Sequence, residues 1–543
     1  MPMNLWYMKL KILWDYSVSK KSLILRSGII VAVFIKSAFR FIQGYENRLV
    51  LGQTDTAGFL ELIDRRTLLH PMEGDYFRSA RGLVPLLSNG AEKICSVIPF
   101  SNFGDPSFFG IHPYLISVPI AAVSWLLPFS TIQVAALFLG GSVVLGLFAI
   151  YRFLKKEAFS SAASVIFVAS LCSYPVLFQS LQGQAYFDRL MFGPAVVLVL
   201  LLWWSKYRST SVVKWICVSA LVLSLISERG AALAALLTIG YGVLLHGLNV
   251  LRLRELRPII VTGSLIMVYL YIWMNIWQSY IAYQGLGYRS VLTRLNILFS
   301  DQMHEPARVF LLSSVVFLLL SLFSGRGFLV LVVSTAPNIL VSIGGAELTG
   351  FLTHYHQTYL PVIAGCSCIG IVRVNKFFEA RIRFNSRKLI PALLAFCVWL
   401  FVCVNAVNIN YGGVSESFRD DLGNAWLPKD DVLNYQLGEI AKIGEVMSYV
   451  HSLNPAIVSV QESLMPMAYT SGIDDVEYWP VGVGVVDVVI APYVDGNPNV
   501  YPYGDINGVG STLAQCVQNV LDKEYKVVAN YFGESLRVYL KNG

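Results

Sequence analysis

Long apolar segments recur through most of this sequence, and they restrict the fold more than any other feature does. About 20 apolar residues in a helix cross the hydrocarbon core of a bilayer. Apolar residues make up 55% of the chain and charged residues 14%, against roughly 45–50% and about 25% in soluble domains. The pattern predicts an all-α polytopic membrane bundle. Its eleven expected spans lie near residues 22–43, 130–151, 159–180, 188–205, 212–227, 230–248, 258–281, 307–324, 327–345, 355–372 and 389–408.

The basic residues indicate which side of the membrane each loop occupies. Lys and Arg concentrate at the N-terminus and in 152–156, 206–214, 252–257, 326 and 373–388. These clusters fall on one side, as the positive-inside rule requires, only if the apolar segment 113–128 does not cross. We therefore predict a cytoplasmic N-terminus over 1–21, a transmembrane domain over 22–408, and a re-entrant or interfacial segment at 113–128.

Ionisable side chains gather on the opposite, outer side. The first outer loop, 44–129, is a long polar interruption of the apolar part, and its stretch 45–112 holds eight carboxylates and six bases. The other outer acids lie at span ends or in outer loops: Asp188, Glu228, Asp301, Glu305 and Glu347. This sidedness predicts a polar reaction chamber at the outer membrane surface.

The composition changes after residue 408. Residues 409–543 carry 17 acids against seven Lys and Arg and contain no apolar run of membrane length. Alternating strands and helices are typical of an α/β domain, which we expect outside the membrane. No glycine-rich loop follows a strand, so no nucleotide site is expected there. The periodicity predicts helices at 435–453 and 511–523 and strands at 456–460, 487–492, 525–531 and 536–540.

The eight cysteines lie mostly within apolar segments. Thiols in such places act as small apolar fillers, and Cys366 and Cys368 share one hydrophobic run. The cysteine spacing predicts neither a disulfide framework nor a structural zinc site.

Asp55 is the leading candidate for a catalytic base. It follows the first predicted span and stands between two threonines. A carboxylate held at the bilayer edge is partly desolvated, which raises its proton affinity and suits it to deprotonate an acceptor hydroxyl. The structural alternative is that Thr54 or Asp55 caps a helix over 57–63. Asp75, in the same loop, is a further polar residue of the expected cavity.

Two acid–arginine pairs, Asp188–Arg189 and Glu228–Arg229, occur at the membrane boundary. An ionised side chain costs roughly 3 kcal/mol at the bilayer centre and less near the ends, so such residues pair or face a cavity. Mutual pairing at helix ends is one interpretation. The other uses Arg189 and Arg229 as a clamp for a phosphate, which suits the guanidinium fork. The further candidates for binding this phosphate are Arg65 and Arg289.

Histidines also mark the outer ends of spans. His354 and His356 precede a late span, and His112 closes the polar stretch of the first loop. Two histidines at i and i+2 do not share a helix face, but in an extended segment they point the same way. With Glu347 they then offer ligands for a divalent metal. Interfacial histidines that anchor a span are the alternative.

Several segments, taken in order, resemble one bacterial group. They are the polar first loop with its early Asp, FGIHPYLISVPIAAVSWLLP, SERGAALAALLTIGYG and THYHQTYLPV. Over about residues 22–410 the sequence is similar to an uncharacterised bacterial polytopic membrane family grouped with the GT-C integral-membrane glycosyltransferases. The order of VSVQESLMPMAY, DVVIAPY and YKVVANYFGESLRVYL also resembles the outer domain of that family.

The resemblance implies a GT-C-like fold and an enzyme of the bacterial plasma membrane. Such an enzyme moves a sugar from a polyprenyl-phosphate donor to a lipid, glycan or protein acceptor at the outer face, and Asp55 falls where its catalytic carboxylate stands. The implied partners are membrane lipids and the lipid-linked sugar, with no nucleic acid. No paired acidic dipeptide follows the first span, and Arg229 stands where a second acid is expected. The involvement of a divalent metal therefore stays open.

Two other functions fit a polytopic chain of this kind, namely a transporter or flippase of lipid-linked glycans and a non-catalytic protein of envelope-polysaccharide assembly. Transporters usually place ionisable residues near the membrane midplane and show repeat symmetry. In this sequence the charges lie at outer span ends and no repeat is visible. This distribution favours the enzyme over the transporter.

Overall fold

The computed structural model describes residues 56–63, 95, 113–172, 186–205, 210–241, 257–277, 304–342, 354–381, 391, 393–400, 437–461, 464–473, 475–494, 496–500 and 510–543. The helices up to residue 381 are α1 (Thr56–Leu62), α2 (Ser117–Leu126), α3 (Thr131–Lys156), α4 (Ser161–Cys172), α5 (Phe192–Ser205), α6 (Thr210–Ile226), α7 (Glu228–Ala235), α8 (Arg257–Ile272), α9 (His304–Phe323), α10 (Arg326–Ser342) and α11 (Leu360–Arg381). Short 3₁₀ turns precede α5 and α11. We name them the Asp188 turn (Phe187–Met191) and the His356 turn (His354–Thr358).

Apolar helices dominate this part of the chain. Each predicted span from 130–151 onward overlaps a helix among the described residues, whereas the first, 22–43, lies outside them. The number of crossings remains a prediction. The described segments long and apolar enough to cross a membrane are Thr131–Lys156, Phe187–Trp204, Arg257–Ile276 and His356–Ala380. The shorter apolar helices are Ser117–Leu126, Ser161–Cys172, Ser211–Ile226 and Ser314–Phe323.

Helix α2 occupies the segment 113–128, which we predict not to cross. Its 10 residues extend about 15 Å at a rise of about 1.5 Å per residue, half the thickness of the hydrocarbon core. The backbone N–H of Ile116, just before α2, donates to the carbonyl of Leu225 in α6 at 2.7 Å. The short length of α2 agrees with the re-entrant or interfacial prediction.

The ends of helix α3 follow from its local sequence. The Ser130 Oγ accepts a hydrogen bond from the Gln133 N–H, and the Gln133 Oε1 accepts one from the Ser130 N–H, both at 3.2 Å. This reciprocal arrangement is a capping box, which satisfies backbone donors at a helix start. The last turn carries Lys155 and Lys156, whose positive charges interact favourably with the negative end of the helix dipole.

Glycines allow the central helices to approach one another closely. A Cβ on Gly370 of α11 would collide with the carbonyl oxygen of Leu320 in α9, and one on Gly146 of α3 would overlap the ring of Phe192 in α5. In lipid, helix association depends on van der Waals packing, which small residues at the interface improve. The outcome is a compact centre made of α3, α5, α9 and α11.

Helix α8 lies at the rim of this bundle. Only 22% of its apolar stretch is buried, against 78% for the stretches that contain α5 and α11. Exposed apolar side chains such as Leu265 and Met267 cover the outer face of α8. Its inner face packs against α6 and α7.

The residues after 436 form a mixed sheet with three helices. The helices are α12 (Leu437–Ser452), α13 (Met465–Thr470) and α14 (Gly510–Glu524), and the strands are β1 (Val458–Val460), β2 (Val476–Tyr478), β3 (Val488–Val494), β4 (Asn497–Pro498), β5 (Tyr525–Tyr531) and β6 (Leu536–Lys541). The strand order is β2-β1-β3-β6-β5, and β4 pairs with β3. β1 runs parallel to β2 and β3, while β6 runs antiparallel to β3 and β5.

Every helix and strand predicted after residue 408 is present; β5 has the predicted bounds, and the ends of the others shift by at most two residues. The sequence analysis did not predict α13, β2 or β4. These elements have six, three and two residues, which is too short for a periodic pattern to show. Whether 409–543 forms a separate domain outside the membrane remains a prediction.

The prediction that the cysteines form no disulfide framework is wrong for one pair. Cys95 in the first loop and Cys516 in α14 are joined by a disulfide, with their Cα atoms 5.3 Å apart and a sequence separation of 421. The two cysteines lie in different polar segments, so no short spacing reveals them. Cys366 and Cys368 are free and fully buried, in agreement with their predicted role as apolar fillers.

Candidate functional site

The Asp188 turn places two ionisable side chains inside the bundle. Asp188 is 2% exposed and Arg189 is 0% exposed. Arginine and aspartate are almost never fully buried unless they are paired. The turn leads directly into α5, so the positions of both side chains are fixed by the start of a well-packed helix.

Ser142 of α3 attaches this turn to the bundle. Its Oγ donates to the carbonyl of Leu190 at 2.7 Å and accepts from the N–H of Gly193 at 3.0 Å. A Cβ on Gly193 would collide with the backbone of Ser142, so a glycine is needed for this close contact. One buried hydroxyl therefore holds the backbone on both sides of the junction between the turn and α5.

An ion pair joins the Asp188 turn to α7. The Arg229 Nη1 lies 3.2 Å from the Asp188 Oδ2, and the Arg229 side chain keeps 25% of its surface exposed. Mutual pairing is one of the two interpretations that the sequence leaves open, and this contact joins Asp188 of one acid–arginine pair to Arg229 of the other. A guanidinium presents five N–H donors in a planar fork that matches the geometry of carboxylates and phosphates.

The first turn of α7 is also fixed. The Ser227 Oγ accepts a hydrogen bond from the Gly230 N–H at 3.2 Å as the N-cap of the helix, and it contacts the Met191 Sδ at 3.9 Å. Glu228 stands in the first turn of α7, where the helix dipole favours a negative charge. Ser227 therefore connects the start of α7 to the end of the Asp188 turn.

The His356 turn packs against the Asp188 turn and the start of α7. His356 and Gln357 are both fully buried. The His356 Nδ1 lies 2.6 Å from the Tyr359 hydroxyl, a hydrogen bond that orients the imidazole. Three segments that are far apart in sequence thus pack together, and they carry Asp188, Arg189, Glu228, Arg229 and His356.

An aromatic cluster connects the first loop to this centre. The ring of Phe59 in α1 has its centroid 4.6 Å from that of Tyr186, 5.1 Å from that of Phe187 and 5.3 Å from that of Tyr114, each in an edge-to-face arrangement. Edge-to-face pairs at such distances contribute about 0.5–1.5 kcal/mol beyond area burial. Helix α1 is therefore held beside the residue that precedes Asp188.

An apolar groove of about 470 Å³ ends at the same turn. It lies between α2, α3, the start of α5 and the end of α6, and Leu190 and Ile226 bring its lining next to the two acid–arginine pairs. Its lining residues are Ile116, Val123, Leu137, Phe138, Gly141, Ser142, Leu145, Leu190, Pro194, Val222 and Ile226. The lining is almost wholly apolar.

The remaining sequence-predicted residues are not all described. The backbone of His354 belongs to the His356 turn, but its side chain is not among the described ones. Within the described residues no group of three His, Cys, Asp or Glu is arranged to hold a metal ion; the proposed ligand Glu347 is not among them. The predicted site residues outside the described part of the chain are Asp55, Arg65, Asp75, His112 and Arg289.

The sequence analysis missed four residues of the centre, namely Phe59, Ser142, Ser227 and Tyr359. Most of them contact a residue that is distant in the chain. Tyr359 contacts the nearby His356, but this contact forms only in the folded turn. Ser227 alone carried a signal, because a serine before an acidic first turn is typical of a helix N-cap.

We predict that Ser142→Ala destabilises the protein by about 1–3 kcal/mol, since it leaves two buried backbone groups of the Asp188 turn without their hydrogen-bond partner. Ser170→Ala is the control, because Ser170 is also buried but its Oγ donates within its own helix, to the Ile166 carbonyl at 2.8 Å. Denaturation in detergent micelles measures both. Equal stability of the two variants would contradict the anchoring role of Ser142.

No protein-family model matches the chain, and no curated protein matches it. Among solved structures, ArnT from Cupriavidus metallidurans bound to undecaprenyl phosphate aligns with a TM-score of 0.50 at 12% sequence identity, covering 94% of this chain and 97% of that one. ArnT from the same organism in the apo state aligns with a TM-score of 0.45 at 12% identity, over 95% of this chain and 98% of that one.

The alignment with the lipid-bound structure extends over nearly the whole of both chains. ArnT is a GT-C glycosyltransferase, so this similarity confirms the predicted resemblance to the GT-C group at the level of the fold. The identity of 12% carries no residue roles across. The protein has a predominantly helical, GT-C-like membrane fold with a small sheet near its C-terminus.

Proposed function

We propose that this protein is an integral-membrane glycosyltransferase that moves a sugar from a polyprenyl-phosphate donor to a lipid, glycan or protein acceptor at the outer face of the bacterial plasma membrane. The observation that carries the proposal is the apolar groove, which is lined by Leu190, the residue after Arg189, and by Ile226, close in sequence to Arg229. A lipid-linked sugar phosphate has the same division into a long apolar chain and a charged head.

The groove accounts for the lipid part of the substrate. Its lining is almost wholly apolar, and it borders helices that face the membrane interior. The free energy of an isoprenoid chain changes little when it moves from lipid into such an apolar groove. The groove therefore serves to orient the chain rather than to extract it from the membrane. The solved ArnT structure with bound undecaprenyl phosphate supports a lipid of this class.

The arginines account for the phosphate. The Arg229 side chain is partly exposed while it pairs with Asp188, and the buried Arg189 directly precedes Leu190 of the groove lining in the sequence. Charge-assisted contacts between a guanidinium fork and a phosphate are among the stronger hydrogen bonds in proteins. In this proposal Arg65 and Arg289 contribute further positive charge.

Asp55 is the proposed base. It removes the proton of the acceptor hydroxyl, whose oxygen forms a new bond to the anomeric carbon of the sugar. The bond from that carbon to the phosphate oxygen breaks, and polyprenyl phosphate leaves with the electron pair. Asp55 itself lies outside the described residues, but α1 begins at the next residue, and Phe59 of α1 packs on Phe187 beside Asp188. The proposed polar surroundings are Asp75, His112, Asp188, Glu228, His354 and His356.

The disulfide supports the proposed sidedness. Disulfides persist in oxidising compartments such as the bacterial periplasm, which agrees with an outer position for both the first loop and residues 409–543. Two linked cysteines must lie on the same side, so the crossings between Cys95 and Cys516 must be even in number. The spans predicted between 130 and 408 satisfy this condition, and an extra crossing by 113–128 would violate it.

We expect Asp55→Asn to lower the turnover number at least about 100-fold, because a general base contributes roughly 10²–10⁴ to such a step. The assay is transfer from synthetic polyprenyl-phosphate sugars by the protein in proteoliposomes, read by mass spectrometry of the acceptor. Asp105→Asn, in the same loop but with no proposed role, is the control. Full activity of Asp55→Asn would remove the mechanism, and movement of the sugar-lipid across the bilayer without transfer would indicate a flippase.

We expect Arg229→Lys to weaken binding of the sugar donor about tenfold, because the ammonium retains the pair with Asp188 but loses the planar fork that binds phosphate. The control is Arg152→Lys, at an exposed position near the C-terminal end of α3. Binding is measured with a fluorescent polyprenyl phosphate, after a thermal scan has verified folding. Unchanged affinity in Arg229→Lys would end the role of Arg229 in the clamp.

We expect Gly141→Phe to block the groove. A Cβ on Gly141 has no heavy atom within 4 Å, so the ring enters open space rather than the bundle. Affinity for a long-chain polyprenyl phosphate should fall, while affinity for a short-chain analogue should not. Leu265→Phe on the rim helix α8 is the control. An equal loss of affinity for the long-chain and the short-chain lipid would show that the groove does not hold the isoprenoid tail.

A further inference from the structure

We infer that the C-terminal unit, α12 to β6, is a positioning element that holds the first loop against the candidate site through two separate attachments. One is the contact of α13 with α1, and the other is the Cys95–Cys516 disulfide. The inference rests on the proposed function, because it assigns the C-terminal unit a part in placing the loop that carries Asp55.

The first attachment is the packing of α13. Met465 and Ala468 of this helix are fully buried, and α13 contacts α1 and α3 on the membrane side and α12 and β2 within the C-terminal unit. Helix α1 has only seven residues, and a helix of that length is not stable on its own in water. Its position therefore depends on its neighbours, and α13 is one of them.

The large apolar side chains of α1 and of Ile63, which follows it, are buried. Phe59, Leu60, Leu62 and Ile63 are each less than 5% exposed. Phe59 faces the aromatic rings beside the Asp188 turn. The chain of contacts therefore runs from the sheet through α13 and α1 to the turn that bears Asp188.

The second attachment is covalent. Cys516 lies in α14, which packs on β4 and β5, so the sheet holds one end of the disulfide and the first loop provides the other. Its formation removes two protons and two electrons from the two thiols. A protein disulfide of the outer compartment accepts them by thiol–disulfide exchange and becomes a dithiol. The link limits how far the first loop can move from the C-terminal unit.

The covalent link is tested directly in the full-length protein. A protease recognition sequence inserted between residues 409 and 436 allows the purified protein to be cut ahead of α12. We expect the two fragments to migrate as one species on a non-reducing gel and to separate with reductant. Cys95→Ser and Cys516→Ser should separate without reductant, while the control Cys217→Ser, a free cysteine in α6, should stay linked. Separation of the parent protein without reductant would overturn the inference.

The positioning effect is tested without any activity assay by hydrogen–deuterium exchange of peptides that cover 56–63. We expect faster exchange in Cys95→Ser and in Cys516→Ser than in the parent and in Cys217→Ser, because the loop is held at one attachment fewer. Unchanged exchange would show that the disulfide does not position α1. If the two variants exchange faster but the parent protein transfers no sugar, the positioning role stands and the proposed function is refuted.

The kinetic consequence separates positioning from binding. We expect Cys95→Ser to lower kcat about fivefold and to change the KM for the sugar donor less than about twofold, because the groove, Arg189 and Arg229 are untouched while the base is less well oriented. Treating the parent with reductant should reproduce this effect and leave Cys95→Ser unaltered. An unchanged kcat, or a loss confined to KM, would contradict the inference.

Discussion

The ion pair between the buried Asp188 and the partly exposed Arg229 is the interaction on which the centre of this protein depends. Removing Arg229 would leave the Asp188 carboxylate in a low-dielectric environment without this partner, which is costly. The pair holds the turn before α5 to the first turn of α7, with Ser142 and Ser227 fixing the backbone on either side. The bundle can bury Asp188 only because all of these contacts form together.

Around this pair the protein brings together surfaces of opposite character. The apolar groove approaches from the lipid side, the His356 turn supplies polar atoms, and α1 brings the first loop close through the Phe59 ring. Such a junction of lipid-compatible and ion-compatible surfaces suits an amphiphilic substrate whose reactive bond lies next to its charge. The small C-terminal sheet adds the restraint that a long polar loop cannot provide for itself.

The sequence predicted the features that depend on composition and local pattern. Apolar stretches gave the positions of the helices, and charges at span ends identified Asp188, Arg189, Glu228, Arg229 and His356, because burying an ionised group in a membrane protein is costly enough to need a reason. It could not predict that Asp188 pairs with Arg229, a residue 41 positions away. It also could not find the disulfide or Phe59, because their contacts join segments that are distant in the chain, or α13, whose six residues are too few to show a period.

Helix α8 has a consequence for how such a protein responds to its surroundings. The apolar segment Arg257–Ile276 has 20 residues, about 30 Å of helix, which nearly equals the hydrocarbon thickness. Mismatch with a thinner or thicker bilayer is relieved by helix tilt, and a rim helix tilts before a central one. Helix α8 packs on α7, the helix that begins with Glu228 and Arg229. We therefore expect a tilt of α8, caused by a change in the acyl-chain length of the host membrane, to shift these two charged residues.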